Sequence, residues 1–119
     1  METGMSLPVD DEHAPLYSVG QVAAMLRLRE AFLRRLDEFQ VVRPRRTEGG
    51  QRRYSRHEIK RVRYVVELVG EGMTLTAIRR VLELEQRVRD LERRREEDAR
   101  RIRELESRTR NRRAPVPPM

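Results

Sequence analysis

The stretch Val41-Val42-Arg43-Pro44-Arg45-Arg46-Thr47-Glu48-Gly49-Gly50-Gln51-Arg52-Arg53-Tyr54-Ser55 decides the fold. Val41 and Val42 are β-branched, Pro44 blocks a helix, and Glu48-Gly49-Gly50-Gln51 has the composition of a turn. Together they predict a small β-hairpin whose arms carry Arg45, Arg46, Arg52 and Arg53. A Gly-Gly tip makes the ribbon compact, so these arginines project from a defined surface.

On both sides of the hairpin the apolar period changes to that of helices. Upstream, Ser18 and Gln21 have capping-box spacing, and Val19, Val22, Ala23 and Leu26 follow an i, i+3, i+4, i+7 pattern. That pattern predicts a short first helix. After Leu28, a second amphipathic stretch turns Phe32, Leu33, Leu36 and Phe39 inward and shows Arg27 or Arg29, Glu30, Arg34, Arg35 and Glu38 outward. Downstream, Ser55-Arg56-His57-Glu58 is another capping box, opening a helix with Ile59, Val62, Val65, Val66 and Val69 inward. Gly70 and Gly72 end it. Thr74 can cap a fourth helix, in which Leu75, Ile78, Val81 and Leu82 point at the core.

From Val81 a heptad takes over, with Val81, Val88, Arg95 and Ile102 at a and Leu84, Leu91, Asp98 and Leu105 at d. No Gly or Pro interrupts the chain between Met73 and Ala114. A long helix is therefore expected, with an apolar seam that needs a partner.

Composition narrows the function. The 119 residues hold no Cys, which excludes a disulfide framework and any thiolate metal site. No apolar run approaches the roughly 18 residues of a membrane span, and no signal-peptide core follows the start. A soluble intracellular chain is expected. Residues 1–16 carry the acids Glu2, Asp10, Asp11 and Glu12 and no Lys or Arg. Between residues 43 and 63, by contrast, nine basic groups face only Glu48 and Glu58. A compact segment that basic is suited to a polyanion, and nucleic acid leads the candidates. His13 and His57 lack ligand spacing to each other or to any Cys, so no metal site is expected, and no cofactor. The Gly-Gly tip is not a phosphate-binding loop. The carboxylates of residues 83–106 are spaced as a solvated helix face, so nothing proposes an enzyme.

A helix–turn–helix, an Arg-rich hairpin, then two helices leading into a coiled coil is the order of a winged helix–turn–helix protein. The strings Tyr17-Ser18-Val19-Gly20-Gln21-Val22-Ala23, Phe32-Leu33-Arg34 and Val41 to Ser55 strongly resemble the MerR family of transcription regulators. The run Glu71-Gly72-Met73-Thr74-Leu75-Thr76-Ala77-Ile78-Arg79-Arg80-Val81-Leu82-Glu83-Leu84-Glu85 is most similar to the actinobacterial heat-shock repressors. The resemblance covers about residues 17–88. It implies a mainly α fold and a regulator located with the nucleoid in the cytoplasm, binding double-stranded DNA as a homodimer on an inverted repeat. It also implies a stress-linked repressor with a chaperone as co-repressor. Two positions depart from the family pattern. Leu36 stands where a Tyr is usual, removing one implied phosphate contact. Gln40 replaces a Gly, so a left-handed position must tolerate a side chain at a cost of about 1 kcal/mol. Cysteines near the dimer helix, used by metal- and thiol-sensing members, are absent, and only a short Pro-rich tail follows Arg108, where drug-sensing members append a ligand domain.

The expected organisation is an unstructured acidic arm at 1–15, a DNA-binding domain at 16–80, a dimerisation helix at 81–110 and a Pro-rich tail at 111–119. The candidate DNA-contacting set is Ser18, Arg29, Arg34, Arg35, Arg45, Arg46, Arg52, Arg53, Tyr54, Arg56 and Lys60. Arg34 matches the family's Arg in the recognition helix and is suited to guanine N7 and O6. The wing arginines suit phosphate or the minor groove. Tyr54 fits a core plug equally well. The candidate interface set is Val81, Leu84, Val88, Leu91, Arg95, Asp98, Ile102 and Leu105. A second reading has the coiled coil as an adaptor and the basic region as a dock for an acidic protein.

Pairing of the long helix can be weighed by magnitude. Arg80, Arg87, Arg94, Arg101 and Arg108 occupy g, with Glu85, Glu92, Ala99 and Glu106 at e, which favours parallel pairing. An antiparallel pair instead sets Arg95 against Asp98 across the seam. Flank pairs contribute only about 0–1 kcal/mol each, whereas unmatched buried charge layers cost several. Antiparallel pairing, which the resemblance also implies, is the expectation.

Overall fold

The structure, a computed structural model, describes residues 11–112 and residue 118. The first ten residues of the expected arm and most of the expected Pro-rich tail lie outside the described residues. The chain divides into two units, Met1–Leu82 and Glu83–Met119.

In the first unit, β1 (Tyr17–Ser18) runs directly into α1 (Val19–Leu26), because Ser18 caps the helix. Its Oγ accepts from Gln21 N at 3.1 Å, and Gln21 Oε1 accepts from Ser18 N at 2.8 Å. The two bonds satisfy two donors that a helix start otherwise leaves orphaned. Arg27, left-handed at φ 56°, stops α1 and lets the chain enter α2 (Glu30–Glu38) within three residues. The two helices approach closely at Gly20, where a Cβ would stand 3.1 Å from Glu30 Oε1. Gln40, also left-handed at φ 62°, ends the segment after α2, at the position where the sequence substitutes a side chain for Gly.

The wing follows as β2 (Arg45–Arg46) and β3 (Arg52–Tyr54). Its tip closes through Thr47 N to Gln51 O at 2.8 Å and Gly50 N to Thr47 O at 2.9 Å. Gly50 takes φ +82°, a conformation Gly adopts without steric cost. The expected two-stranded hairpin is in fact a three-stranded antiparallel sheet of order β1-β3-β2. Tyr17 pairs with Tyr54 and Ser18 with Arg53, so the wing's inner strand is hydrogen-bonded to the start of α1.

Ser55 repeats the capping box for α3 (Arg56–Gly70), and Thr74 Oγ1 accepts from Ala77 N at 3.1 Å to open α4 (Leu75–Arg112). Buried Val22, Ala23, Leu33, Leu36, Val41, Val42, Tyr54, Ile59, Val62, Val65, Leu68, Ile78 and Leu82 form one core. Each fully buried aliphatic side chain contributes about 1.5–3 kcal/mol. Val66 and Val69, expected inside, are exposed. Buried positions on α3 recur every three residues, so the covered face winds around the helix and Leu68 takes the inward place. Phe39, also expected inside, lies at the end of α2 and is exposed beneath the Arg35 guanidinium, 5.7 Å from its ring centroid. Leu36 is core, which accounts for an apolar residue there.

Of residues 11–15, expected to be unstructured, Glu12 and His13 are seated against α3. His57 N donates to Glu12 O at 3.0 Å, and Lys60 Nζ donates to Glu12 Oε1 at 2.7 Å. In the second unit, the helix from Glu83 to Arg112 leaves Leu84, Val88, Leu91, Ile102 and Leu105 exposed at 43–54%.

Relief of the strain at residue 40 is measurable. Gln40→Gly should raise the unfolding free energy by about 0.5–1 kcal/mol, the left-handed penalty less glycine's chain entropy. Gln40→Ala, which keeps the Cβ, should show no such gain. Equal stability of the two variants in denaturant titrations would show position 40 to be unstrained.

Candidate nucleic-acid interface

Three elements place polar side chains, most of them arginines, around one concave surface. α2 presents Arg34 on its outward face, the cap of α1 presents Ser18, and the wing presents Arg52 and Arg53. With Val19, Gly50 and Gln51 they line a groove of about 340 Å³. Arg34 Nη2 lies 3.2 Å from Glu30 Oε2, and both side chains are about half exposed. An exposed i, i+4 pair of this kind contributes only about 0.3–0.5 kcal/mol. Arg34 can therefore exchange Glu30 for another acceptor at little cost.

The wing is fixed to α2 by a carboxylate that the sequence patterns did not single out. Asp37 Oδ2 accepts from Arg52 Nε at 2.7 Å and from Arg46 Nη2 at 2.9 Å. Arg46 Nη1 also donates to Gly50 O at 3.1 Å, so one guanidinium bridges helix, strand and hairpin tip. Arg53 donates to Arg52 O and Gln51 Oε1. Arg46 and Arg52 therefore hold the wing's shape, a role their spacing alone did not reveal. A pairing between residues 37 and 52 has no local periodicity by which to find it.

The remaining expected contacts are distributed differently. Arg45 is exposed on the outer strand, opposite Arg53. Arg29 is exposed at the start of α2 with no side-chain cap bond. Arg35 does not join the groove: one residue turns a helix by about 100°, and Arg35 instead lies over Phe39. Arg56 is half-buried in the first turn of α3. Lys60 is exposed and paired with Glu12.

Tyr54 is corrected from contact to core. Its side chain is 0% exposed beneath the wing, and its hydroxyl has no hydrogen-bond partner among the described residues. Burial, reinforced by the Asp37 carboxylate, pushes the phenol up to about 12. His13 and His57, expected in separate settings, are brought together with ring centroids 4.8 Å apart.

This combination of fold and groove defines a winged helix–turn–helix module. The profile of the MerR HTH family of regulatory proteins matches residues 17–85, more than half of the chain, and the chain belongs to that family. The family is one of regulatory proteins, which are not enzymes. The putative heat shock protein HspR of Streptomyces coelicolor is 38% identical over 82 residues, covering 68% of this chain and 54% of that one. The HTH-type transcriptional regulator GlnR of Bacillus anthracis is 29% identical over 73 residues, covering 61% and 57%. The chain thus spans about half the length of these curated relatives. Two solved structures share the fold. HiNmlR, a MerR family regulator lacking the sensor domain and bound to promoter DNA, aligns with TM-score 0.54 at 22% identity over 78% of this chain and 81% of that one. The N-terminal part of MtaN, the Bacillus subtilis multidrug transporter activator, aligns with TM-score 0.53 at 20% identity, over 78% and 97%. No helix among the described residues is long and apolar enough to cross a membrane.

Burial of Tyr54 has a consequence for alkaline stability. Its native pKa lies above the ordinary value near 10, so its stabilising contribution is complete below pH 10 and is lost as pH rises through about 12. Tyr54→Phe removes both the titration and an unsatisfied buried hydroxyl. The variant should be more stable by about 1 kcal/mol or more at neutral pH and should lack that alkaline loss in denaturant melts. Identical alkaline profiles would show that the phenol is not buried.

Proposed function

We propose that the chain is a sequence-specific DNA-binding repressor acting as a homodimer on an inverted-repeat operator. The observation that carries this reading is the convergence of Arg34, Ser18, Arg52 and Arg53 on one groove beside the recognition helix. In this reading α2 enters the major groove, where Arg34 leaves Glu30 for a guanine edge. The wing lies along flanking backbone, with Arg45 and Arg53 toward phosphate and Arg46 and Arg52 holding it to Asp37. Arg29, Arg56 and Lys60 supply further phosphate contacts at the margins. HiNmlR, a protein of this fold bound to promoter DNA, supports the assignment. The likeness to HspR, a putative heat shock protein, supports a stress-linked role, and a chaperone co-repressor is what the resemblance to the heat-shock repressors implies.

The dimer is carried by the seam of α4. Its a and d residues Leu84, Val88, Leu91, Ile102 and Leu105 stand about half exposed in the single chain. Antiparallel pairing sets Leu91 against Ile102 of the second copy and lets Arg95 neutralise Asp98. Val81 lies within the first unit and is already half-buried, so it adds less to the interface.

Two substitutions separate base reading from phosphate contact. Arg34→Ala should cost about 1–3 kcal/mol on the specific operator and relax its sequence preference. Arg45→Ala should weaken all sequences alike and reduce the salt slope by about one. Equal loss on specific and nonspecific DNA for Arg34→Ala would overturn base reading. Binding indifferent to sequence in the unaltered protein would favour the adaptor reading instead.

Helix direction is decided by crosslinking. Cysteine pairs introduced by Leu91→Cys and Ile102→Cys should crosslink from 91 of one copy to 102 of the other. Efficient 91-to-91 crosslinking in the single Leu91→Cys variant would show the helices to be parallel.

A further inference from the structure

The fold assembles a second cluster, of residues that do not line the groove. Asp11 begins a tight turn, with His13 N donating to Asp11 Oδ1 at 2.9 Å and Ala14 N to Asp11 O at 3.2 Å. That turn is pinned by the 3.0 Å bond from His57 N to Glu12 O, so Glu12 and His13 sit over the first turn of α3. A carboxylate oxygen of Glu12 and imidazole nitrogens of His13 and His57 all lie within 4.8 Å of one another. We propose that Glu12, His13 and His57 form a binding site for a late first-row divalent metal, Zn2+ being the best fit.

The donor set is chemically apt. Two imidazoles and one carboxylate are the ligands of an open tetrahedral zinc site, with water in the fourth position. Zn–N and Zn–O bonds of about 2.0–2.2 Å require donors about 3.3–3.5 Å apart, so the widest separation in the cluster must close by up to about 1.5 Å. His13 is exposed and Glu12 only half-buried, so both can make that adjustment by side-chain rotation while His57 stays anchored on α3. The surroundings select against hard cations. Lys60 already holds Glu12 Oε1 at 2.7 Å. Mg2+ and Ca2+ depend on carboxylate charge, which is shared here, whereas metals that favour imidazole draw mainly on the two nitrogens. A bound metal would fasten residues 11–13 to α3 and compete with Lys60 for the carboxylate.

The site is tested with full-length, tag-free protein by Zn2+ calorimetry and by Co2+ absorption. Zn2+ should bind one per chain and raise the melting temperature, Mg2+ should do neither, and Co2+ should give visible bands of a four-coordinate complex. Loss of an outer-shell partner alone costs about 10–100-fold in metal affinity, so His13→Gln and His57→Gln should each lose at least about tenfold. His13 is exposed, so His13→Gln leaves the fold intact and the readout interpretable. Zn2+ affinity unchanged in both variants, or no Zn2+-dependent shift in the unaltered protein, would overturn the site. Operator binding is measured separately, by mobility shift in EDTA, so failure of the metal site is distinguishable from failure of the DNA-binding reading.

Discussion

One carboxylate oxygen governs the geometry of the basic surface. Asp37 Oδ2 receives guanidinium groups from both wing strands, and Asp37 sits on the same helix as Arg34. Only 15% of its side chain is exposed and 21% of that of Arg52, so this pair is screened far less than the Arg34–Glu30 pair. The contrast divides the arginines by function. Arg46 and Arg52, which share a shielded anion, set the wing's shape, and Arg34, whose partner is solvated, is held loosely. The groove exists because α2 and the wing cannot drift apart.

The sheet makes the same connection at the opposite side of the wing. β3 pairs with β1, and β1 passes without interruption into the capped start of α1. Strands of two and three residues are too short to be stable alone. They persist because Tyr54 fills the space beneath them and because Ser18 and Ser55 close the helix ends on either side. Stability here comes from junctions more than from strand length.

Features encoded within a few neighbouring residues were legible in the sequence. Both capping boxes, the Gly-Gly turn and the Thr74 cap follow from spacing or from residue type, and the left-handed position at Gln40 from the resemblance, which places a Gly there. The wing's arginines were legible as a group, but not their separation into anchors and exposed contacts. That separation depends on Asp37, fifteen residues from Arg52 and unmarked by any periodicity. The pairing of His13 with His57 was hidden for the same reason, since only the docked turn at Asp11 joins them. Tyr54 is a different case: strand alternation allows either face, and only the third strand and the helices beneath it settle which side is covered.

The nine-residue α2 is bracketed by Arg27 and Gln40, both held at positive φ. A helix clamped between two such corners has no slack in its connections. Adding or deleting one residue would rotate its outward face by about 100° and carry Arg34 out of register with the wing. Change in what this surface reads is thereby channelled into exchange of side chains at fixed sites. Loop length, the usual source of variation on a binding surface, is closed to it on both flanks of the helix.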